Sequence, residues 1–275
     1  MSSGSKESDL LVRIKTGLPL ALGITLILFT PTIIVGVFVI AISFIGSQEL
    51  TKMLCKSLGK GNKELLPKWL LPATALLMGF GALNGEKGLH AALLTSVLGW
   101  IFYKLIFLSK SEANKLETIG LGLFGMVWAV WSTLHIILIK SLPDGTELIF
   151  YLILVISFSD IFAYFGGKYF GKSLLAPSIS PKKTWEGCLF GVIGGGFVGA
   201  VFGELTLSLF WLNGLIVAIF LAIIGQLGDL VESKIKRLCK VKDSGTILPG
   251  HGGVLDRIDG HMLAAPVFFY LLQLR

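Results

Sequence analysis

A chain of 275 residues with 53% apolar side chains and 34 glycines is about 65% apolar-plus-glycine, against about 45–50% for a soluble domain. Charged residues make up only 15%, the formal net charge is +7 and the mean hydropathy is +0.80. These values exclude a soluble globular enzyme, a disordered chain and a nucleic-acid-binding module, because the basic residues lie between apolar runs rather than on one soluble face.

The expected fold class is therefore an all-α polytopic integral membrane protein, with residues 1–275 forming a single membrane domain. A bilayer-crossing helix needs about 20 mostly apolar residues. Nine stretches answer that description: 18–30, 31–54, 69–83, 89–108, 119–139, 148–165, 187–210, 214–231 and 261–274. The first is short and Pro31 makes the turn into the second, so these two read either as crossings or as a hairpin that dips into the bilayer. Residues 1–15 are polar, and the apolar run after them lacks a small-residue cleavage site, so no cleaved signal peptide is expected. Cys55, Cys188 and Cys239 are far apart and form no C-x-x-C pair, which argues against a cysteine-held metal or a disulfide framework.

Sidedness follows from the basic residues, which concentrate in cytoplasmic loops. With the N-terminus in the cytoplasm, alternate loops collect all of the 24 Lys and Arg residues except Lys87, Lys140 and Arg275. The expectation is nine crossings, N-terminus inside and C-terminus outside. Helices within 18–139 have a structural or dimerisation character, and the chemistry falls in 148–275.

Two inner segments are too rich in polar residues to be connectors. The first holds Asp160 near the inner end of the sixth span, with Tyr164 one turn later. A carboxylate there has to face the bundle interior, a cation or water. Ser180-Pro181-Lys182-Lys183-Thr184 follows, ahead of the next helix. Pro presets a first helical turn, Ser or Thr caps it, and the helix N-terminus favours an anion. The adjacent lysines read either as a polyphosphate clamp or as a topology signal. Trp185 serves equally as an interfacial anchor or a base-stacking ring.

The second segment runs from Asp229 through Ser233, Lys236, Arg237, Lys242 and Asp243 to Pro249-Gly-His251-Gly-Gly and Asp256-Arg257-Ile-Asp259. Asp256 and Asp259 are three apart, hence on one face of a helical turn. Together with Asp229 they offer three carboxylates at the membrane surface. A hard divalent cation such as Mg²⁺ suits such a set, and the alternative is pairing with Lys236, Arg237 or Arg257. The glycine-rich turn exposes backbone amides able to cradle a phosphate. His251 fits a phosphate donor, a general acid or a plain turn residue.

Gly194-Gly-Gly196-Phe-Val-Gly199 matches G-x-G-x-x-G, but it lies inside an apolar span with no strand before it. Gly187, Gly191, Gly195, Gly199 and Gly203 recur every fourth residue instead, as a small-residue stripe for close helix packing. That stripe suits packing within one chain or a homodimer.

At Ser233-x-x-Lys236-Arg237, Lys242-Asp243, His251-Gly-Gly and Asp256-Arg257-x-Asp259 the chain resembles the phosphatidate cytidylyltransferase (CDP-diacylglycerol synthase) family, bacterial type. Ser180–Gly187 and the Asp160…Tyr164 pair look like further blocks of that family. The resemblance implies transfer of the cytidylyl group of CTP to phosphatidic acid with Mg²⁺, giving CDP-diacylglycerol and pyrophosphate at the cytoplasmic face of the inner membrane. A second cation is compatible with it, and the expected partners are CTP, phosphatidic acid and membrane lipids. On that reading Asp229, Asp256 and Asp259 hold the metal, and Ser233, Lys236 and Arg237 line the catalytic site. Lys182, Lys183, Asp160, Tyr164, Ser180, Thr184, His251, Arg257, Lys242 and Asp243 bind substrate. The rival readings are a cation-coupled transporter, which intramembrane Asp160 and Asp229 would suit, and another lipid phosphotransferase.

Overall fold

The computed structural model describes the backbone of residues 3–57, 66–107 and 112–274, and the side chains of 15–57, 66–106 and 116–274. Lys6, Arg13, Lys60, Lys63, Lys110, Lys115 and Arg275 of the sidedness argument lie outside the described side chains. The contacts group the chain into two units: residues 1–137 with 239–258, and 138–238 with 259–275. The polar segment from Asp229 to Asp259, which the sequence presents as one run, is thus shared between them.

The first unit opens with α1 (Ser3–Leu28) and α2 (Thr32–Ser57), then α3 (Leu70–Leu83) and α4 (Glu86–Phe107). Pro31 precedes α2, where its missing N–H costs no hydrogen bond, and it sets the turn between the first two helices. The stretch 112–140 is one continuous helical rod: α5 (Glu112–Gly125), a π-helical segment (Met126–Trp131) and α6 (Ser132–Lys140). Ser132 Oγ donates to Val127 O at 2.8 Å, a second bond to the carbonyl that accepts the Ser132 amide in the π register. Trp100 Nε1 on α4 donates to Ile119 O on α5 at 3.3 Å. The loop 239–254 and the start of α10 (Leu255–Gln273) complete this unit.

The second unit is built on α7 (Gly145–Phe170), α8 (Trp185–Leu207), α9 (Trp211–Leu238) and the remainder of α10. Both α7 and α9 outrun the apolar stretches 148–165 and 214–231, carrying the helix into the polar segments that follow. The glycine stripe explains the packing. Gly187, Gly191, Gly195, Gly199 and Gly203 are all buried on α8. A Cβ at Gly191 would stand 2.7 Å from Ser159 O of α7, and one at Gly199 would stand 2.3 Å from Ala218 Cβ of α9. Only glycine allows the three helices to approach this closely. The stripe is filled by α7 and α9 of the same chain, so it supplies no argument for a dimer.

One small element accompanies the helices. Leu174–Ala176 (β1) and Ser180–Thr184 (β2) pair antiparallel, with Leu174 opposite Thr184 and Ala176 opposite Ser180. Pro181 therefore lies in a strand rather than at a first helical turn. A two-stranded ribbon is all edge, where a residue without N–H is tolerated.

Among the described residues, six helical stretches are long and apolar enough to cross a membrane: Thr32–Ser57, Glu86–Ile106, Leu116–Lys140, Gly145–Phe170, Trp185–Leu207 and Trp211–Leu238. Leu70–Leu83 and Lys15–Leu28 are apolar but shorter. Large apolar side chains such as Phe80, Leu94, Phe197 and Leu205 stand exposed along these helices. A water-facing surface of that kind would be unstable, whereas lipid accepts it. The molecule is a polytopic membrane protein.

Candidate functional site

In the second unit the chemistry gathers where α7, β2 and α9 carry polar residues beyond their apolar runs. The Lys183 ammonium on β2 donates to Asp229 Oδ2 on α9, and Ser233 Oγ, one helical turn further, donates to Asp229 Oδ1 at 3.2 Å. The Lys183 and Asp229 side chains are 30% and 26% exposed, so ligand can reach them. Asp160 on α7 lies within electrostatic range of both. Asp259, on the second-unit part of α10, feels Asp229, Glu232 and Lys236. Burial first, then repulsion from Asp229 and Glu232, pushes the Asp259 carboxyl up to about 8.

Three supports hold this arrangement. Gln226 Nε2 of α9 donates to Ser159 Oγ at 3.0 Å and Cys188 O at 3.2 Å, tying α9 to α7 and α8 directly beside Asp160. Glu186 accepts from the amides of Lys172 (3.1 Å) and Ser173 (3.2 Å), which closes the base of the β1–β2 ribbon. Thr184 Oγ1 accepts from Gly187 N at 3.1 Å and caps α8. Thr184 thus acts as the cap expected of it, and its hydroxyl is engaged in that role.

The other expected residues of this unit sit as follows. Lys236 pairs with buried Glu232 at 3.2 Å, and Arg237 Nε donates to Ile179 O at 3.3 Å, joining α9 to the ribbon. Lys182 is exposed on β2, and Ser180 opens that strand. Tyr164 is exposed on α7, its ring edge-on to Phe165 with centroids 5.3 Å apart.

In the first unit, Lys242, Asp243, His251 and Arg257 line a single pocket of about 590 Å³, together with Gly245, Thr246, Leu248, Pro249, Gly250 and Gly252. That volume is in the range of small-molecule sites. Gly252 has φ +84°, a conformation that L side chains rarely adopt, so the chain can turn here only with glycine. Arg257 Nε donates to His251 O at 3.0 Å, and His251 Nδ1 lies 2.9 Å from Thr16 Oγ1 of α1. Lysine, arginine, imidazole and a glycine-rich backbone, against the single carboxylate of Asp243, give this cavity a lining that suits an anion.

Among the described residues no group of three or more His, Cys, Asp or Glu side chains is placed to hold a metal ion, and of the three expected carboxylates Asp229 and Asp259 fall in the second unit and Asp256 in the first. Asp256 Oδ2 is turned into its own loop, where it accepts from Ser244 N (2.8 Å), Ser244 Oγ (2.9 Å) and Gly253 N (2.8 Å). Spacing puts Asp256 and Asp259 one turn apart, but the loop amides before α10 capture the first of them.

Glu49 is the residue that sequence reasoning missed. It lies on α2, is 2% exposed, and accepts from Ser244 Oγ and from the amides of Val254 and Leu255. An acid near the end of an apolar run was signal enough to single it out.

The sequence model of the Cytidylyltransferase family matches residues 11–275. An uncharacterised protein of Escherichia coli (strain K12), YnbB, is 30% identical over 277 residues, covering 98% of this chain and 89% of its own. The phosphatidate cytidylyltransferase of Bacillus subtilis (strain 168) is 44% identical over 144 residues, 51% of this chain and 53% of its own. That of Staphylococcus haemolyticus (strain JCSC1435) is 49% identical over 132 residues, 47% of this chain and 50% of its own. The match to the two enzymes named for this activity spans about half of their length.

Proposed function

This chain belongs to the cytidylyltransferase family, and from that premise we propose that it transfers the cytidylyl group of CTP to phosphatidic acid. A phosphate oxygen of the lipid attacks the α-phosphorus of CTP, the α–β bridging bond breaks, and pyrophosphate leaves with its electron pair. The attacking phosphate is already ionised near neutral pH, so no general base is required. Several negative charges meet in one place, and the work of the protein is to neutralise and align them.

The observation that carries this reading is the Lys183–Asp229 pair, with Asp160 and Asp259 in electrostatic range, on helices otherwise fit for lipid. Such a cluster offers a cation for phosphate and carboxylates for a metal. Mg²⁺ takes one or two carboxylates plus substrate phosphates, and Asp229 and Asp259 supply that number within one unit. The mutual repulsion around Asp259 is what a positive ion would relieve. When bound, Mg²⁺ withdraws charge from the phosphate oxygens it touches.

The remaining roles belong to the chain itself. Lys183 and Lys182 hold phosphate oxygens, and Ser233 orients Asp229. In the first unit, Lys242, His251 and Arg257 offer a polyphosphate a pocket of their own. Asp256 shapes the loop that carries that pocket. The basic residues favour the sidedness of nine crossings with the N-terminus inside, in the cell's inner membrane. CTP then arrives from the cytoplasm, and the lipid enters sideways from the inner leaflet.

The test follows the label. With CTP labelled at the α-phosphorus, radioactivity should pass into the organic phase as a lipid only when phosphatidic acid is present. Label at the γ-phosphorus should stay aqueous, as pyrophosphate. Release of CMP instead would make the protein a different lipid phosphotransferase. Substrate flux in sealed vesicles without CTP turnover would make it a transporter.

A further inference from the structure

Glu49 occupies an unusual position for an acid. It stands on α2, an apolar helix, and is almost fully buried. Its Oε1 accepts from Val254 N at 3.1 Å, and its Oε2 accepts from Leu255 N at 3.0 Å and lies 3.1 Å from Ser244 Oγ. Leu255 is the first residue of α10, so these amides have no acceptor within the helix. A carboxylate at that point satisfies the amides and complements the positive end of the helix dipole. The capping group is thus borrowed from a residue 206 positions earlier in the chain.

The carboxylate also sets the shape of the loop. A Cβ at Gly245 would stand 2.3 Å from Glu49 Oε1, and one at Gly253 would stand 2.5 Å from Oε2 and 2.2 Å from Ser244 Oγ. Glycine is needed at both places because Glu49 fills the space inside the loop. The outer side of the same loop, from Lys242 to Arg257, lines the 590 Å³ pocket. Asp256 secures the loop from a second direction through Ser244 and Gly253. Four amides of the loop, those of Ser244, Gly253, Val254 and Leu255, are committed inward to carboxylates of the protein.

We propose that Glu49 is a positioning residue: it holds the 244–255 loop in the form that presents Lys242, His251 and Arg257 to a polyphosphate. The assignment rests on the reading of that pocket as the polyphosphate subsite.

The test uses the full-length protein in detergent, with Glu49→Gln as the first variant. Glutamine keeps the shape but removes the charge and brings an NH₂ group against amide donors. The KM for CTP should rise about tenfold, the change expected on losing hydrogen bonds to a charged group, while the KM for phosphatidic acid stays within twofold. Pyrophosphate affinity, measured by titration calorimetry without turnover, should fall by the same factor. A residue that only held the fold together would reduce the active fraction and kcat and leave both values unchanged, and that result overturns the proposal. If Glu49→Gln does not fold, Ser244→Ala decides: it removes one hydroxyl contact and should shift both values about threefold in the same direction, and unchanged values overturn the proposal. Pyrophosphate binding that depends on Glu49 in a protein without cytidylyl transfer would sustain the positioning role and reject the proposed reaction. Pyrophosphate that does not bind the wild-type protein at all rejects the subsite and the positioning role with it.

Discussion

Lys183 of β2 and Asp229 of α9, 46 positions apart in the chain, hold each other in an ion pair. On the proposed reading each partner meets a need of the other: the carboxylate keeps the lysine poised for phosphate, and the lysine stands in for the positive charge of a metal. Asp160 and Asp259 extend the same cluster.

Replacing Lys183 by alanine should therefore raise the KM for CTP by about tenfold, the weight of one charged hydrogen bond. Steady-state kinetics at saturating phosphatidic acid check it. An unchanged KM would leave Lys183 with a topological role only.

Asp259 gives the protein a pH dependence. Its folded-state proton affinity is raised above that of an unfolded aspartate, so the stability it contributes is fully present below about pH 4. That contribution is lost as pH rises through about 8. In metal-free protein the unfolding temperature should decline across this range, and Asp259→Asn should flatten the decline while abolishing turnover. Thermal unfolding in detergent between pH 5 and pH 9 reads both, and parallel curves for the two proteins would contradict the assignment.

Asp256 contributes to stability through the three donors it accepts, Ser244 N, Ser244 Oγ and Gly253 N. Asp256→Ala leaves the amides of Ser244 and Gly253 without their acceptor, while Ser244 Oγ keeps Glu49, at a cost of about 2 kcal/mol for a partly exposed loop. Chemical unfolding should register that loss, whereas Asp229→Ala should cost less stability and more activity. Wild-type stability in Asp256→Ala would refute the loop role.

Gly199→Val places a side chain where the first added carbon already stands 2.3 Å from Ala218 Cβ. The α8–α9 contact has to open, at about 3 kcal/mol or more. Reduced yield of folded protein in membranes and a lower unfolding temperature are expected. The neighbouring Leu205→Val, at an exposed position, should behave as wild type.

Composition and apolar run length announced the helices, because lipid demands them, and the period-four glycines announced how α8 packs. Asp160 and Asp229 stood out for a related reason: acids are costly on apolar helices, and the structure sets both within reach of Lys183. Three features were less open to reading. The β1–β2 ribbon is only a few residues of strand, held by Glu186 and backbone pairing, and Ser-Pro-Lys-Lys-Thr carries no strand periodicity. The fate of Asp256 depended on where loop amides point, and the role of Glu49 depended on a contact 206 residues distant. Spacing along a helix records which side chains share a face, not which of them the backbone captures first.

Pyrophosphate release by the detergent-solubilised protein, given CTP, phosphatidic acid and Mg²⁺ with each omitted in turn, tests the central claim most directly. Release that requires all three is the predicted result. Release without phosphatidic acid, or no release from folded protein with all three present, would contradict it.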